Sequence, residues 1–162
     1  YVVSGRPEPD LLVLSSPALG ADVPAWQRVA APVLSRVSPR LFVKGDIDGA
    51  ILSHDREVQV SYRDDPLRVA GSTARLGQEI FRAMEEASDG IARVTMPCYV
   101  LHGAADELVP PNHSRPLSGL SNVTYQLWPG LRHECFNELE KEAVLAALGE
   151  WLDESLTELK SA

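Results

Sequence analysis

The sequence predicts an α/β fold, with three parallel strands, flanking helices and one helical insertion. Three observations point there. Short apolar runs at Leu11–Ser15, Cys98–His102 and Val123–Trp128 each end in small or turn-forming residues. A long helical period closes the chain between Leu139 and Leu159, and a proline- and charge-rich stretch from about Gly20 to Gly90 separates the first run from the second.

The run Leu11-Leu12-Val13-Leu14-Ser15 stops at Ser16-Pro17, and a continuous apolar run of this length is expected of a strand buried on both faces. The stretch that follows holds one good helical run, Thr73–Ala87, in which Leu76, Ile80, Phe81 and Met84 share a face. Some seventy residues between two parallel strands far exceeds a usual crossover, so this stretch is expected to be an inserted cap over the carboxyl ends of the strands. Pro97 opens the second strand and Gly103 closes it, while Pro129-Gly130 close the third. Between them, Pro110–Leu120 begins Pro-Pro-Asn and is expected to hold a short helix broken or bent near Pro116, which completes a βαβ unit. In the last helix Val144, Leu145, Leu148, Trp151, Leu152 and Leu156 recur at three and four, the stripe of an ordinary core-facing helix. The expected divisions are therefore residues 1–19, the cap at 20–90, and 91–162.

Composition narrows the class of function. A chain of 162 residues, 44% of them hydrophobic, suits one globular domain. Its formal charge of −8 would repel phosphate backbones and anionic membranes, which makes nucleic acid an unexpected partner. No apolar run approaches membrane-spanning length and no basic start leads into an apolar leader, so the expectation is a soluble, cytoplasmic protein without stable transmembrane anchoring. Cys98 and Cys135 are expected to be buried thiols rather than a disulfide. The opening YVVSGRPEPD has no initiator methionine and enters an apolar run at once, as expected of a fragment.

In an open parallel sheet, ligands bind outside the carboxyl ends of the strands. Asp106 falls in the turn after the second strand and His133 in the loop after the third, so both are expected at one crevice. A carboxylate and an imidazole delivered there can pair, the carboxylate fixing the tautomer while the other ring nitrogen serves as general base. The string His133-Glu134-Cys135-Phe136-Asn137 also suggests the zinc-protease pattern H-E-x-x-H. That reading fails because position 137 is asparagine and Pro129-Gly130 argue for a loop, not a helix interior. Cys135 is too close in sequence to His133 to bring its sulfur to the ring, and Cys98 is expected inside a strand. His102, at a strand end, is expected to be a hydrogen-bonded structural histidine, and His54 and His113 to lie at the surface. Asp64-Asp65 before Pro66 read as a turn, and Lys44–Gly49 is at most a faint calcium loop.

Four ordered segments carry a resemblance. LVLSSPAL at 12–19, ILSHDREVQVSYRDDPL at 51–67, LHGAADELVP at 101–110 and WPGLRHECFNELE at 128–140 together resemble the carboxyl-terminal portion of the monoacylglycerol lipase family of α/β-hydrolases. The resemblance implies the carboxyl-terminal part of that fold, with Asp106 as triad acid and His133 as triad base. Glu134, Asn137 and Glu138 would be structural support around the histidine, and the cap a lid that receives the acyl chain. It implies a serine ester hydrolase acting on monoacylglycerols or similar lipid esters, releasing fatty acid and glycerol without metal or organic cofactor, and a chain that is inactive by itself. The family's Gly-x-Ser-x-Gly elbow is absent from this sequence. Residues 1–9 resemble the end of the helix that follows the elbow, so the serine is expected roughly ten residues before Tyr1, in an amino-terminal half that would be the chain's partner. The alternatives are a binding or accessory protein without a nucleophile, or an esterase or aminopeptidase of the same fold.

Overall fold

A computed structural model describes residue 6 and residues 8–161. Residues 1–5 and 7, where the end of a preceding helix was expected, lie outside the described residues, and Arg6, Glu8 and Pro9 have no regular structure. The main sheet is three-stranded and parallel, in the order β1 (Leu12–Ser15), β4 (Cys98–Gly103), β5 (Val123–Trp128). In register, Val13 faces Tyr99, and Tyr99 faces Thr124. A parallel sheet needs cover on both faces, and its central strand shows why: all six residues of β4 are buried.

The strand period divides β4 between two apolar layers. Cys98 and Val100 meet Val94, Met96 and Leu117, with Leu12, Leu14 and Tyr125 packed against them. Tyr99 and Leu101 point the other way, to Leu131, Cys135 and Val144, where Leu148 and Trp151 of the closing helix α4 (Lys141–Ser161) complete the layer. The Tyr99 and Trp151 rings lie 5.4 Å apart, tilted by 40°. Full burial of side chains such as Val100, Leu101 and Val144 stabilises the fold by about 1.5–3 kcal/mol each.

The first strand departs from expectation. Leu12 and Leu14 pack inward, but Val13 is 38% exposed, so β1 is covered on one face only. It pairs with β4 along one edge, and among the described residues nothing pairs along the other. The continuous apolar run is therefore a half-covered edge strand in this chain. The segment after β4 forms a single 3₁₀ turn, Arg115–Gly119, rather than a broken helix. Pro116 sits in its first turn, where a missing N–H leaves no bond unmade.

Residues 20–90 hold more regular structure than their composition indicates. The expected helix is present as α3 (Ala74–Asp89), with the Thr73 hydroxyl accepting the Leu76 amide at 3.2 Å. Two further helices, α1 (Ala25–Val37) and α2 (Arg56–Asp64), and an antiparallel pair of short strands, β2 (Phe42–Lys44) with β3 (Gly71–Thr73), join it. α1 hides from a sequence reading because Pro32 lies inside it and no side chain caps its start. It is held by packing on α3. α2 has a clear cap, the Asp55 carboxylate accepting the Glu57 amide at 2.9 Å, but no buried residue and hence no apolar stripe to read. Among the described residues no helix is long and apolar enough to cross a membrane.

Candidate active site

Backbone hydrogen bonds stitch the loop after β4 to the loop after β5. The Ala104 amide donates to the Trp128 carbonyl at 2.8 Å, and the Ala105 amide to Leu131 at 2.9 Å. Such contact requires a residue without a side chain at the end of β4. A Cβ on Gly103 would stand 2.1 Å from the Arg132 carbonyl oxygen and 2.3 Å from that of Leu131. On the other loop, Gly130 takes φ of 76°, a conformation glycine adopts without strain, and turns the chain away from the sheet.

The structure brings Asp106 and His133 together: His133 Nδ1 lies 2.8 Å from Asp106 Oδ2. A carboxylate only accepts, so Nδ1 carries the proton and the neutral ring keeps its lone pair on Nε2. The His133 side chain is 24% exposed while that of Asp106 is fully buried, an arrangement that lets the imidazole meet a reactant and keeps water from the carboxylate. The other Asp106 oxygen, Oδ1, accepts the amides of Leu108 and Val109 at 2.9 and 2.8 Å. Burial by itself would raise this carboxyl, but hydrogen bonds from His102, His133 and the Val109 amide outweigh it and hold Asp106 well below the usual carboxylate range. The aspartate is therefore ionised at any ordinary pH.

The histidine loop is fastened from three directions. Ser16, buried at the end of β1 with φ of 44°, donates its hydroxyl to the His133 carbonyl at 2.7 Å. Behind the loop, the buried Glu138 accepts from the Arg132 amide, the His54 amide and His54 Nδ1, each at 2.9 Å, and from the Ser53 hydroxyl at 3.3 Å. Burial opposes its ionisation, yet the donors from Arg132 and His54 prevail and lower its pKa. Third, Arg132 extends its guanidinium to the carbonyls of Ala50 and Ser53, and the Glu134 amide donates to Leu52 at 2.9 Å. Residues 50–54 are thus locked to the loop that presents His133.

Other candidates fall into place around this pair. His102 is fully buried and hydrogen-bonded, as expected of a structural histidine. The half-exposed His54 serves Glu138, and His113 pairs with Asp22 at 2.9 Å, so both have partners a surface reading does not supply. Asn137 bonds Glu134 at 2.7 Å on the outside of the loop and lies in a 3₁₀ turn, Cys135–Asn137, which places no pair of ligands one α-helical turn apart. Among the described residues no cluster of three or more histidine, cysteine or acidic side chains is placed to hold a metal. Asp46 pairs with Arg68 and Asp48 accepts the Ala50 amide, which accounts for the faint calcium-loop pattern. Asp65 closes α2 and accepts the Leu67 amide, a turn role. Cys98 and Cys135 are free and buried, and burial pushes both thiols up to about 11. A cleft of about 620 Å³ opens between α1, α3 and the segment after β1, lined by Leu19, Gly20, Arg28, Phe81 and His113 among others; neither Asp106 nor His133 reaches its wall.

Ser16, Ser53 and Arg132 were not singled out as parts of the site by sequence. No local pattern marks a serine whose partner lies 117 residues away.

A parallel sheet whose strand-end loops bring a buried aspartate to a partly open histidine defines the carboxyl-terminal part of an α/β-hydrolase fold. The chain belongs to the family described as serine aminopeptidase, S33, which it matches over residues 1–140, and within it to the monoacylglycerol lipase-like α/β-hydrolases. It is 32% identical to a monoacylglycerol lipase of Mycolicibacterium smegmatis over 147 residues, 87% of this chain and 52% of that protein. It is 28% identical to phospholipase YtpA of Bacillus subtilis over 149 residues, 88% of this chain and 58% of the other. The crystal structure of the Paleococcus ferrophilus monoacylglycerol lipase superposes with a TM-score of 0.85 at 29% identity, covering 95% of this chain and 62% of that one. The chain thus spans a little over half the length of these two relatives.

Proposed function

We propose that this chain is the cap and carboxyl-terminal sheet of a serine ester hydrolase that cleaves monoacylglycerols, with Asp106 as acid and His133 as base of its triad. The observation that carries the reading is the 2.8 Å bond from His133 Nδ1 to a buried, ionised Asp106, which leaves Nε2 free to accept a proton. In the reaction, a serine from an elbow segment preceding this chain gives its proton to His133 Nε2 as its oxygen attacks the ester carbonyl carbon. Collapse of the tetrahedral intermediate releases glycerol, whose oxygen takes that proton from His133. A water molecule then attacks the acyl-serine, again losing its proton to Nε2, and fatty acid leaves as the serine is reprotonated. Asp106 stabilises the imidazolium throughout without itself being protonated. Residues 20–90 act as the lid over the site, and the acidic composition and free thiols suit a cytoplasmic enzyme.

The complete protein carrying this chain, assayed on monoacylglycerols, phospholipids and aminoacyl amides, tests the proposal. Monoacylglycerols should be preferred, and a fluorophosphonate probe should label one serine. His133→Ala should lower turnover by about 10⁴-fold and abolish labelling. Equal labelling in the variant, or cleavage of aminoacyl amides alone, would refute the reading.

A further inference from the structure

One group at the site is more elaborately built than a structural histidine requires. His102 lies at the carboxyl end of β4 with its whole side chain buried, and both of its ring nitrogens have polar partners. Its Nε2 lies 2.8 Å from the Val109 carbonyl oxygen and 3.1 Å from Asp106 Oδ2. Both of these groups only accept, so Nε2 must carry a proton, which the nearer Val109 carbonyl and Asp106 Oδ2 share. Its Nδ1 lies 2.8 Å from the Ser114 hydroxyl, which in turn lies 2.8 Å from the Tyr125 hydroxyl. The Pro111 carbonyl is a second acceptor for both hydroxyls, at 3.1 Å from Ser114 and 3.4 Å from Tyr125; taking the shorter contacts, the phenol donates to Ser114, Ser114 donates to Nδ1, and the ring is satisfied as a neutral imidazole. The hydrogen bonds therefore run in one direction, from Tyr125 on β5 through Ser114 and His102 to Asp106, where they meet the bond arriving from His133.

The same Asp106 oxygen, Oδ2, receives both histidines, at 3.1 and 2.8 Å, while Oδ1 is filled by two amides. With all four positions taken, the carboxylate cannot rotate about its Cβ–Cγ bond without breaking several bonds at once. We propose that His102 is a positioning residue of the reaction, a neutral Nε2-protonated imidazole held by Ser114 and Tyr125 that fixes Asp106 Oδ2 for His133. This rests on the hydrolase reading above. His102 also shares the carboxylate's charge with His133, so the aspartate grips the His133 proton less tightly than a carboxylate with a single imidazole would. The titratable groups facing Asp106 are His102 and His133, with the neutral Cys135 thiol nearby.

The first test needs no variant. In the complete protein at neutral pH, ¹⁵N imidazole spectra should show His102 with a protonated Nε2 and a bare Nδ1; the opposite tautomer, or a doubly protonated ring, overturns the proposal. In kinetics on a monoacylglycerol, His102→Leu should lower kcat about 10–100-fold with KM within about twofold, as expected of a misoriented base. The acid limb of its pH profile should move up by about half a pH unit as Asp106 tightens on His133. His102→Gln, which can still place an N–H near Oδ2, should recover most of kcat. A leucine variant with unchanged kcat and pH limb, or a glutamine variant no better than leucine, overturns the positioning role. An unaltered protein that hydrolyses no ester would refute the functional reading instead, since the tautomer is read without activity.

Discussion

Glu138→Gln removes one charge and almost no volume, and the structure permits its cost to be worked out. Oε1 receives the Arg132 amide and His54 Nδ1, and Oε2 receives the His54 amide, with a longer contact from the Ser53 hydroxyl, whose shorter bond goes to the Asn137 carbonyl at 2.8 Å. A glutamine amide keeps one oxygen and turns an NH₂ toward the other two donors. Whichever way it lies, at least one backbone amide then faces a donor in a site closed to water, because the Glu138 side chain is fully buried. Losing at least one hydrogen bond to a charged acceptor, at about 1.5–3 kcal/mol, and weakening the others as the charge goes, gives an expected loss of about 3 kcal/mol. That is a large share of a typical domain stability of about 5–15 kcal/mol.

The pH dependence supplies a second, independent sign. The folded pKa of Glu138 is lowered from its ordinary 4.5, so its stabilisation is present above that value and is lost as pH falls through the folded pKa. Urea unfolding of the parent and Glu138→Gln proteins should therefore differ by about 3 kcal/mol at pH 7 and converge as pH falls from the ordinary 4.5 through the lower folded value. A difference under about 0.5 kcal/mol at pH 7, or one that stays constant with pH, would refute the account of Glu138 as an ionised clamp.

Three further outcomes follow from the same contacts. Gly103→Ala should destabilise by about 2–3 kcal/mol, since the new methyl meets backbone carbonyls that cannot swing aside; an unchanged thermal midpoint would show that the two loops can part. Asp106 contributes stability that is complete above its ordinary pKa of 3.8 and fades as acid approaches its lower folded value. Asp106→Asn should abolish that acid dependence and cost about 10⁴-fold in kcat on a monoacylglycerol, and a variant with parental turnover would remove Asp106 from the triad. Ser16→Ala should lose about 1 kcal/mol with the bond to His133, whereas Ser16→Gly, which takes φ of 44° without strain, should lose less; an alanine variant more stable than the glycine variant would contradict this.

Legibility in the sequence followed the range of the interaction. β4 was readable because an apolar run between Pro97 and Gly103 encodes a central strand locally. α3 and α4 were readable within two residues of their ends, because their apolar residues recur with the helical period. α1 and α2 were not: Pro32 masks the first, and the second buries no residue. Asp106 and His133 were legible as a pair at neighbouring strand ends and, by resemblance, as acid and base of a triad.

By itself, then, the sequence determined the α/β class, the order of the parallel strands along the chain, and which carboxylate and imidazole would stand at their carboxyl ends. Only the tertiary structure decided how those two groups are held. The half-open face of β1, the hydroxyl of Ser16 on the His133 carbonyl, the Glu138 clamp on residues 53 and 54, and the His102 chain to Tyr125 all join groups brought together by folding. Periodicity and turn chemistry act between neighbours and leave a trace in neighbouring residues. A hydrogen bond spanning 84 residues, as between His54 and Glu138, leaves none until the sheet has set both ends in place.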